Sequence, residues 1–191
     1  MISYNTKNNV VGKVRRITRV PALIDELTGH DPVVREKARE ALMAIGKPAV
    51  PPLIQLLAHS RPHVRWEAAK ALCGIADPIA ATALVNALDD VDSDVRWVAA
   101  EGLVALGREG LQPLLAALLE RAQSSWFRQA AHHVCHTLAA KRKLGPILRP
   151  LLAAFGRYEP QVAVPLAAYT ALSKLREPFG ANAPGRAGGG T

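Results

Sequence analysis

Cysteine and aromatic residues are scarce in this sequence. Cys73 and Cys135 are the two cysteines among 191 residues, and aromatic side chains account for 5%. Two thiols make no disulfide framework, so we expect both to be free in a reducing, cytoplasmic environment. The apolar share of 49% is mostly Ala, Leu, Val and Ile. Because Ala and Leu are strong helix formers and Ala lets helices approach closely, this composition favours stacked helices over a β-sandwich.

Long hydrophobic runs and catalytic motifs are also missing. No stretch of 18 or more uncharged apolar residues occurs, and residues 1–19 lack the apolar core of a secretory signal, so we expect no membrane association. The sequence has no Gly-rich phosphate loop, no nucleophile elbow and no Cys/His zinc spacing. It therefore indicates no enzyme class and no cofactor.

Acidic residues are absent from two segments, so the net charge of +8 is unevenly distributed. Residues 1–19 carry five basic residues and no acid, and residues 121–158 carry seven and no acid. Residues 20–120 instead hold nine basic and fourteen acidic residues. This polarity bears on partners and encounter rates rather than on the fold.

A repeated motif is the strongest positive signal. Four segments align on an apolar anchor that is followed at once by arginine, and the anchors lie 30, 31 and 32 residues apart. Ala follows each anchor by four residues and Ile or Leu by eleven, which traces one face of an α-helix. The anchors and their arginines are Val34 with Arg35, Val64 with Arg65, Val95 with Arg96, and Phe127 with Arg128.

Another predicted helix precedes each of these helices, with a proline near its start, where the missing N–H costs little. These stretches are residues 21–27, 50–58, 79–88, 111–119 and 146–155, and a weaker fifth unit is anchored on Val164. One helical pair cannot bury its own apolar face, whereas stacked pairs share a continuous core. The sequence therefore predicts an all-α protein, a right-handed α-α superhelix (α-solenoid) of about five helical pairs.

We expect this solenoid to span residues 20–177. Residues 1–19 form a basic N-terminal arm that we expect to be partly disordered. Residues 178–191 are rich in glycine and are expected to be a disordered tail.

The repeat resembles the HEAT repeat family, and within it the subtype named after the phycobilisome bilin lyases. The shared motif is Asp-x-x-Val-Arg-x-x-Ala-Ala-x-Ala-Leu-x-x-Ile, and the match covers residues 20 to about 176. The resemblance implies an armadillo-like helical scaffold whose second helices line the concave side, with a polar ladder of Asp and Arg between repeats. Arg61 and Ser124 replace the acid that Asp31 and Asp92 supply elsewhere, so we expect an incomplete ladder at the second and fourth units.

The four arginines have two interpretations. They form a basic stripe on the concave face, or they satisfy turn carbonyls and Asp side chains between repeats. We favour the second interpretation, since a buried or half-buried arginine needs a fixed partner.

Two tryptophans occupy equivalent positions in adjacent repeats. Trp66 and Trp97 follow their anchors by two residues, which is about 200° around the helix. We expect both on the surface that the second helices share, and exposed tryptophans among charges are typical of a binding patch. The alternative is that neighbouring helices cover both rings. The predicted partner-binding residues are Trp66, Trp97, Lys70, Glu101, His133 and His136.

A histidine cluster and a basic segment are two further candidates. His132 and His136 share a helix face, but a third ligand is missing and His133 stands in place of the Glu of a His-Glu-x-x-His motif, so we predict no metal site. The basic segment either binds an anionic partner or is a solvated helix end. Its anion-binding candidates are Arg121, Arg128, Lys141, Arg142, Lys143 and Arg149.

Enzymes that share this scaffold fit the sequence less well. Deoxyhypusine hydroxylase carries His-Glu pairs for a di-iron centre, whereas Arg65, Trp66 and Glu67 contain no histidine. In the alkylpurine DNA glycosylases the concave face is basic, whereas the first half of this chain is acidic, and Asp94 fits a helix start better than a catalytic role. The bilin lyases often work as paired subunits, and the repeat motif does not separate such a subunit from a scaffold.

These observations together predict a non-catalytic scaffold that binds another protein on its concave surface. The alternatives are binding of nucleic acid or another polyanion through residues 121–158, and a bilin-lyase-like subunit. The sequence does not indicate the oligomeric state.

Overall fold

The computed structural model describes residues 17–141 and 144–176, and it confirms the predicted all-α solenoid. The described residues form ten α-helices, arranged as five successive helical hairpins, and contain no strand. None of the helices in these residues is long and apolar enough to cross a membrane. The predicted tail, most of the predicted arm, Arg142 and Lys143 lie outside the described residues. The helices are α1 (Val20–Leu27), α2 (Pro32–Ile45), α3 (Val50–Leu56), α4 (Pro62–Ile75), α5 (Ala81–Ala87), α6 (Ser93–Leu106), α7 (Arg108–Arg121), α8 (Ser125–Ala139), α9 (Gly145–Phe155) and α10 (Pro160–Arg176).

The motif aspartates cap their own helices. Asp31 Oδ1 accepts the backbone N–H of Val33 at 2.8 Å, and Asp92 Oδ1 accepts that of Asp94 at 2.9 Å. A carboxylate at the N-cap satisfies amides that have no partner inside the helix. Oδ1 of each of these aspartates is therefore used within its own helix, and the expected ladder contact between repeats is not seen as a side-chain hydrogen bond or ion pair of Asp31 or Asp92.

The arginine after each anchor is tied to the turn in front of its helix. In all four units, Nη1 donates to the carbonyls five and six residues earlier, such as His59 O at 2.9 Å and Ser60 O at 3.1 Å for Arg65. These carbonyls belong to the turn that follows the preceding helix. A backbone carbonyl that is shielded from water needs a hydrogen-bond donor from the protein. The favoured interpretation of the arginines is confirmed. The other donors and acceptors are Arg35 with Gly29 and His30, Arg96 with Asp90 and Val91, and Arg128 with Ala122 and Gln123.

A ladder between repeats does exist, but acids at positions other than that of the motif aspartate supply it. Arg65, which is 8% exposed, binds both carboxylate oxygens of Asp90, through Nε at 2.6 Å and Nη2 at 2.7 Å. This hydrogen-bonded pairing raises the pKa of Arg65 above its ordinary value. Glu67 is also buried and accepts from Arg39 Nη1 at 2.5 Å, while Arg121 Nη2 pairs with Asp89 at 2.7 Å.

Arg61 and Ser124, which replace the motif acid, each form a hydrogen bond with a neighbouring repeat. Arg61 has no capping oxygen, and its Nη2 donates to Thr28 O in the preceding repeat at 2.6 Å. Ser124 caps α8 through the Phe127 amide at 3.2 Å and donates its hydroxyl to Asp89. Both positions therefore connect neighbouring units, and the expected gaps in the ladder are bridged by different chemistry.

The core runs through the whole stack, from Val20 to Leu175. The second helices α2, α4, α6 and α8 pack successively against one another, and the first helices α5 and α7 also pack together. The anchors Val64, Val95 and Phe127 are fully buried, whereas Val34 is 38% exposed at the first pair. An anchor is therefore buried only where another repeat precedes it.

The fifth pair reverses the order of its layers. Its first helix, α9, packs against the second helix α8, and its second helix, α10, packs against the first helix α7. Arg108 near the start of α7 donates to Leu175 O near the end of α10. The second helix of this pair therefore lies in the layer that the first helices form in the preceding pairs. Pro165 follows the anchor Val164 here, so no arginine ties α10 to its turn.

We predict that Arg65→Met lowers the free energy of unfolding by about 2–4 kcal/mol. The substitution removes the donor of two turn carbonyls and the cation that pairs with Asp90, whose carboxylate then keeps the Asp92 amide alone as a donor. Lys70→Met on the same helix is the control, since Lys70 is exposed, and we expect it to change stability by less than about 0.5 kcal/mol. Urea unfolding followed by circular dichroism measures both values. Equal stability of the two variants would contradict the role given to Arg65.

Candidate functional site: a groove between α6 and α8

An open groove of about 490 Å³ lies between the second helices α6 and α8. A second groove of about 440 Å³ lies on the other side of α8, toward α9, and Gln129 and His132 line both. The helix α8 is therefore flanked by grooves at the place where the fifth pair reverses. The first groove is lined by Ser93, Arg96, Trp97, Ala100, Trp126, Gln129, Ala130, His132, His133 and His136.

Two exposed tryptophans dominate the groove. Trp97 on α6 is 56% exposed, and Trp126 on α8 is 49% exposed. The guanidinium of Arg96 lies 4.7 Å from the centre of the Trp126 ring, and the carbonyls of the turn before α6 hold that guanidinium in place. The Trp97 ring lies 4.6 Å from the His133 ring at a tilt of 39°. Each indole is thus supported on one side while much of its surface stays open.

A polar contact crosses the groove. His133 Nε2 on α8 lies 2.8 Å from Glu101 Oε1 on α6, and both side chains are half-buried. This contact links the two helices beside Trp97 and fixes the orientation of the His133 ring. His136 is exposed one turn further along the same wall.

His132 lies between the two grooves. Its ring packs edge-on against Phe155 of α9 at 5.3 Å and stacks with His136 at 6.0 Å. Desolvation, followed by repulsion from His136 and His133, lowers the pKa of His132 below its ordinary value. The folded state therefore favours the neutral form of the His132 imidazole. In the described residues no three His, Cys, Asp or Glu side chains come together in a way that would hold a metal ion.

The structure brings together four of the six predicted partner-binding residues. Trp97, His133 and His136 line the groove, and Glu101 contacts His133. Trp66 departs from its prediction, because its ring packs against the core and Arg39 covers it at 5.5 Å. Lys70 is exposed on α4 but does not line the groove.

Sequence reasoning missed Trp126 and Arg96 as lining residues, whereas it placed Gln129 on the surface that Trp97 shares. Trp126 precedes its anchor, whereas Trp66 and Trp97 follow theirs, so a search for equivalent positions passes over it. The signal that was available is a third tryptophan within two residues of an anchor. Arg96 donates to the turn carbonyls and also lies against the Trp126 ring in the groove. At this position the arginine therefore has a structural contact and also lines the candidate site.

Two of the predicted anion-binding residues have internal partners. Arg121 pairs with Asp89 and lies 4.3 Å from the centre of the Phe127 ring, and Arg128 donates to two turn carbonyls. Lys141 and Arg149 are exposed. Arg142 and Lys143 lie outside the described residues, so the anion-binding end stays a prediction.

A family model of HEAT repeats matches residues 20–104 and, in a second overlapping placement, residues 50–135. Among solved structures, one chain of the complex of CpcE and CpcF of phycocyanin lyase from Nostoc sp. PCC7120 is similar. It is 26% identical with a TM-score of 0.55, and the match covers 79% of this chain and 98% of that one. A designed armadillo repeat protein is 21% identical with a TM-score of 0.42, covering 80% of each chain. A comparison with functionally curated proteins gave no match.

We predict that His132→Gln reduces the acid sensitivity of the fold. Because the folded state lowers the pKa of His132, the unfolded chain takes up its proton first, and stability falls as the pH drops below about 6.5. The melting temperature should therefore fall less between pH 7.5 and pH 5.5 in the variant than in the wild type. His30→Gln, at an exposed turn, is the control. An identical fall in all three proteins would contradict the prediction.

Proposed function

We propose that this chain, which belongs to the HEAT-repeat family, is a non-catalytic scaffold that captures another protein in the groove between α6 and α8. The observation that carries the proposal is the pair of exposed tryptophans, each held by a neighbouring side chain. Tryptophan is enriched among the residues that dominate binding energy at protein interfaces. Holding the rings in place before binding also lowers the entropy cost of association.

The polar groups of the groove support binding rather than chemistry. Arg96 is committed to two carbonyls and to the Trp126 ring, and His133 is committed to Glu101 and to the Trp97 ring. These contacts orient the aromatic surfaces. They do not converge on a point where a substrate atom would meet both a nucleophile and a base.

A lyase-type subunit is the second candidate, and the similarity to a chain of the CpcE and CpcF complex favours it. That chain is matched over 98% of its length. A subunit of this kind would also bind a protein partner, so the two candidates share the partner and differ in whether a linear tetrapyrrole is bound.

We predict that Trp97→Ala combined with Trp126→Ala reduces partner capture at least tenfold while helicity is unchanged, because both rings are exposed and support no core packing. Affinity capture from native extract, followed by mass spectrometry, compares this variant with the wild type. Tyr169→Ala is the control, since Tyr169 is 62% exposed on α10, away from the groove. Equal recovery of every partner by all three proteins would remove the tryptophans from the site.

We expect no stoichiometric binding of a linear tetrapyrrole by the purified protein. Titration of biliverdin should leave its absorption spectrum unchanged apart from dilution. A saturable spectral shift that the double tryptophan variant loses would contradict this expectation and would favour the lyase-type subunit.

A further inference from the structure

We infer that the partner segment received by this groove is an acidic peptide stretch that carries at least one apolar or aromatic side chain. The inference rests on the proposed function and adds to it the chemistry of the partner. Three observations support it, namely the charges around α8, the aromatic surfaces between them, and the charge and hydrogen bonds of the nearby arginines.

No acidic residue lines either groove. The ten lining residues of the first groove include Arg96 and three histidines, and the lining of the second adds Arg128. The guanidinium groups keep their positive charge while one nitrogen donates to turn carbonyls, because arginine does not lose its proton in proteins. The segment that carries α8 and α9, residues 121–158, contains seven basic residues and no acid.

Acids stand next to lining residues at four places in the chain, which are Asp92, Asp94 and Glu101 on the α6 side and Glu159 beside Pro160 of the second groove. Glu101 follows Ala100, and its carboxylate contacts His133 at 2.8 Å. Asp94 follows Ser93 and is exposed at the start of the helix. The wall formed by α8 offers no such acid over its whole length, so a negatively charged segment is best placed along α8, where both grooves meet it.

The two grooves suit a segment with mixed chemistry. An apolar or aromatic side chain fits against the open faces of Trp97 and Trp126, as aromatic anchors do in protein interfaces. Carboxylates on either side of it would then lie near Arg96 and Arg128. Gln129 and His132, which line both grooves, connect the two positions.

The arrangement of cations favours a peptide over single-stranded nucleic acid. A nucleic acid would stack its bases on the tryptophans and would need a row of available cations for its phosphates. Arg121 is neutralised by Asp89, and Arg96 and Arg128 stand singly, one in each groove, so they do not form such a row. The first half of the solenoid is acidic and would repel a continuous phosphate backbone.

The test is a selection of random 12-residue peptides displayed on phage against the full chain, with the Trp97→Ala, Trp126→Ala variant used to identify binders that need the groove. We expect peptides that depend on both tryptophans and are enriched in Asp and Glu. Groove-dependent peptides that are neutral or basic would overturn the acidic inference and leave the proposed function standing. Absence of any groove-dependent peptide would overturn the proposed site itself.

A second measurement compares two charge substitutions. The best selected peptide is labelled with fluorescein, and its binding to each variant is measured by fluorescence anisotropy. Gln129→Glu places an acid between the grooves and should weaken binding about three- to tenfold at 50 mM salt, with a smaller loss at 500 mM. Gln112→Glu is the same change on an exposed position of α7 and should have no effect. Equal affinity of the two variants, or tighter groove-dependent binding of a 12-residue oligothymidylate than of the peptide, would overturn the inference.

Discussion

The turn that joins the two helices of a repeat leaves backbone carbonyls that the stacked neighbours partly cover, and an arginine supplies their donors. In four successive units this arginine directly follows a core anchor. Neighbouring residues therefore bury an apolar side chain, as at Val64, Val95 and Phe127, and supply hydrogen bonds to the turn carbonyls. A buried carbonyl without a donor costs free energy comparable to a lost hydrogen bond. In these four units, this contact ties the second helix to the turn in front of it.

One of these arginines, Arg96, also lines the groove. Arg96 holds the turn before α6 and also lies against the Trp126 ring on α8, so one side chain serves both stability and the aromatic surface. Substitution of Arg96 would therefore change both at once. Trp97, Trp126 and Gln129 are free of that double role, which makes their surface the part of the site where binding can be separated from folding.

Periodicity was sufficient to predict the helical pairs, the anchors and the role of the arginines, since each follows from neighbours a few residues away. It was insufficient wherever contacts between distant residues decide the outcome. Trp66 has the same register as Trp97 but is covered by Arg39, which Glu67 holds in place. Similarly, the acids that join the repeats are Glu67, at a variable position of the motif, and Asp89 and Asp90, which precede the next copy of it. Only the packing of neighbouring pairs reveals these roles.

The reversed order of the last pair has a consequence for how an array of this kind can change in length. With α9 against α8 and α10 against α7, both helices of the fourth pair are already covered at their outer side. A unit added after α10 would therefore meet the two layers in the opposite order from a unit added within the first four pairs. Gain or loss of a unit among those pairs would keep the second helices α2, α4, α6 and α8 in one layer.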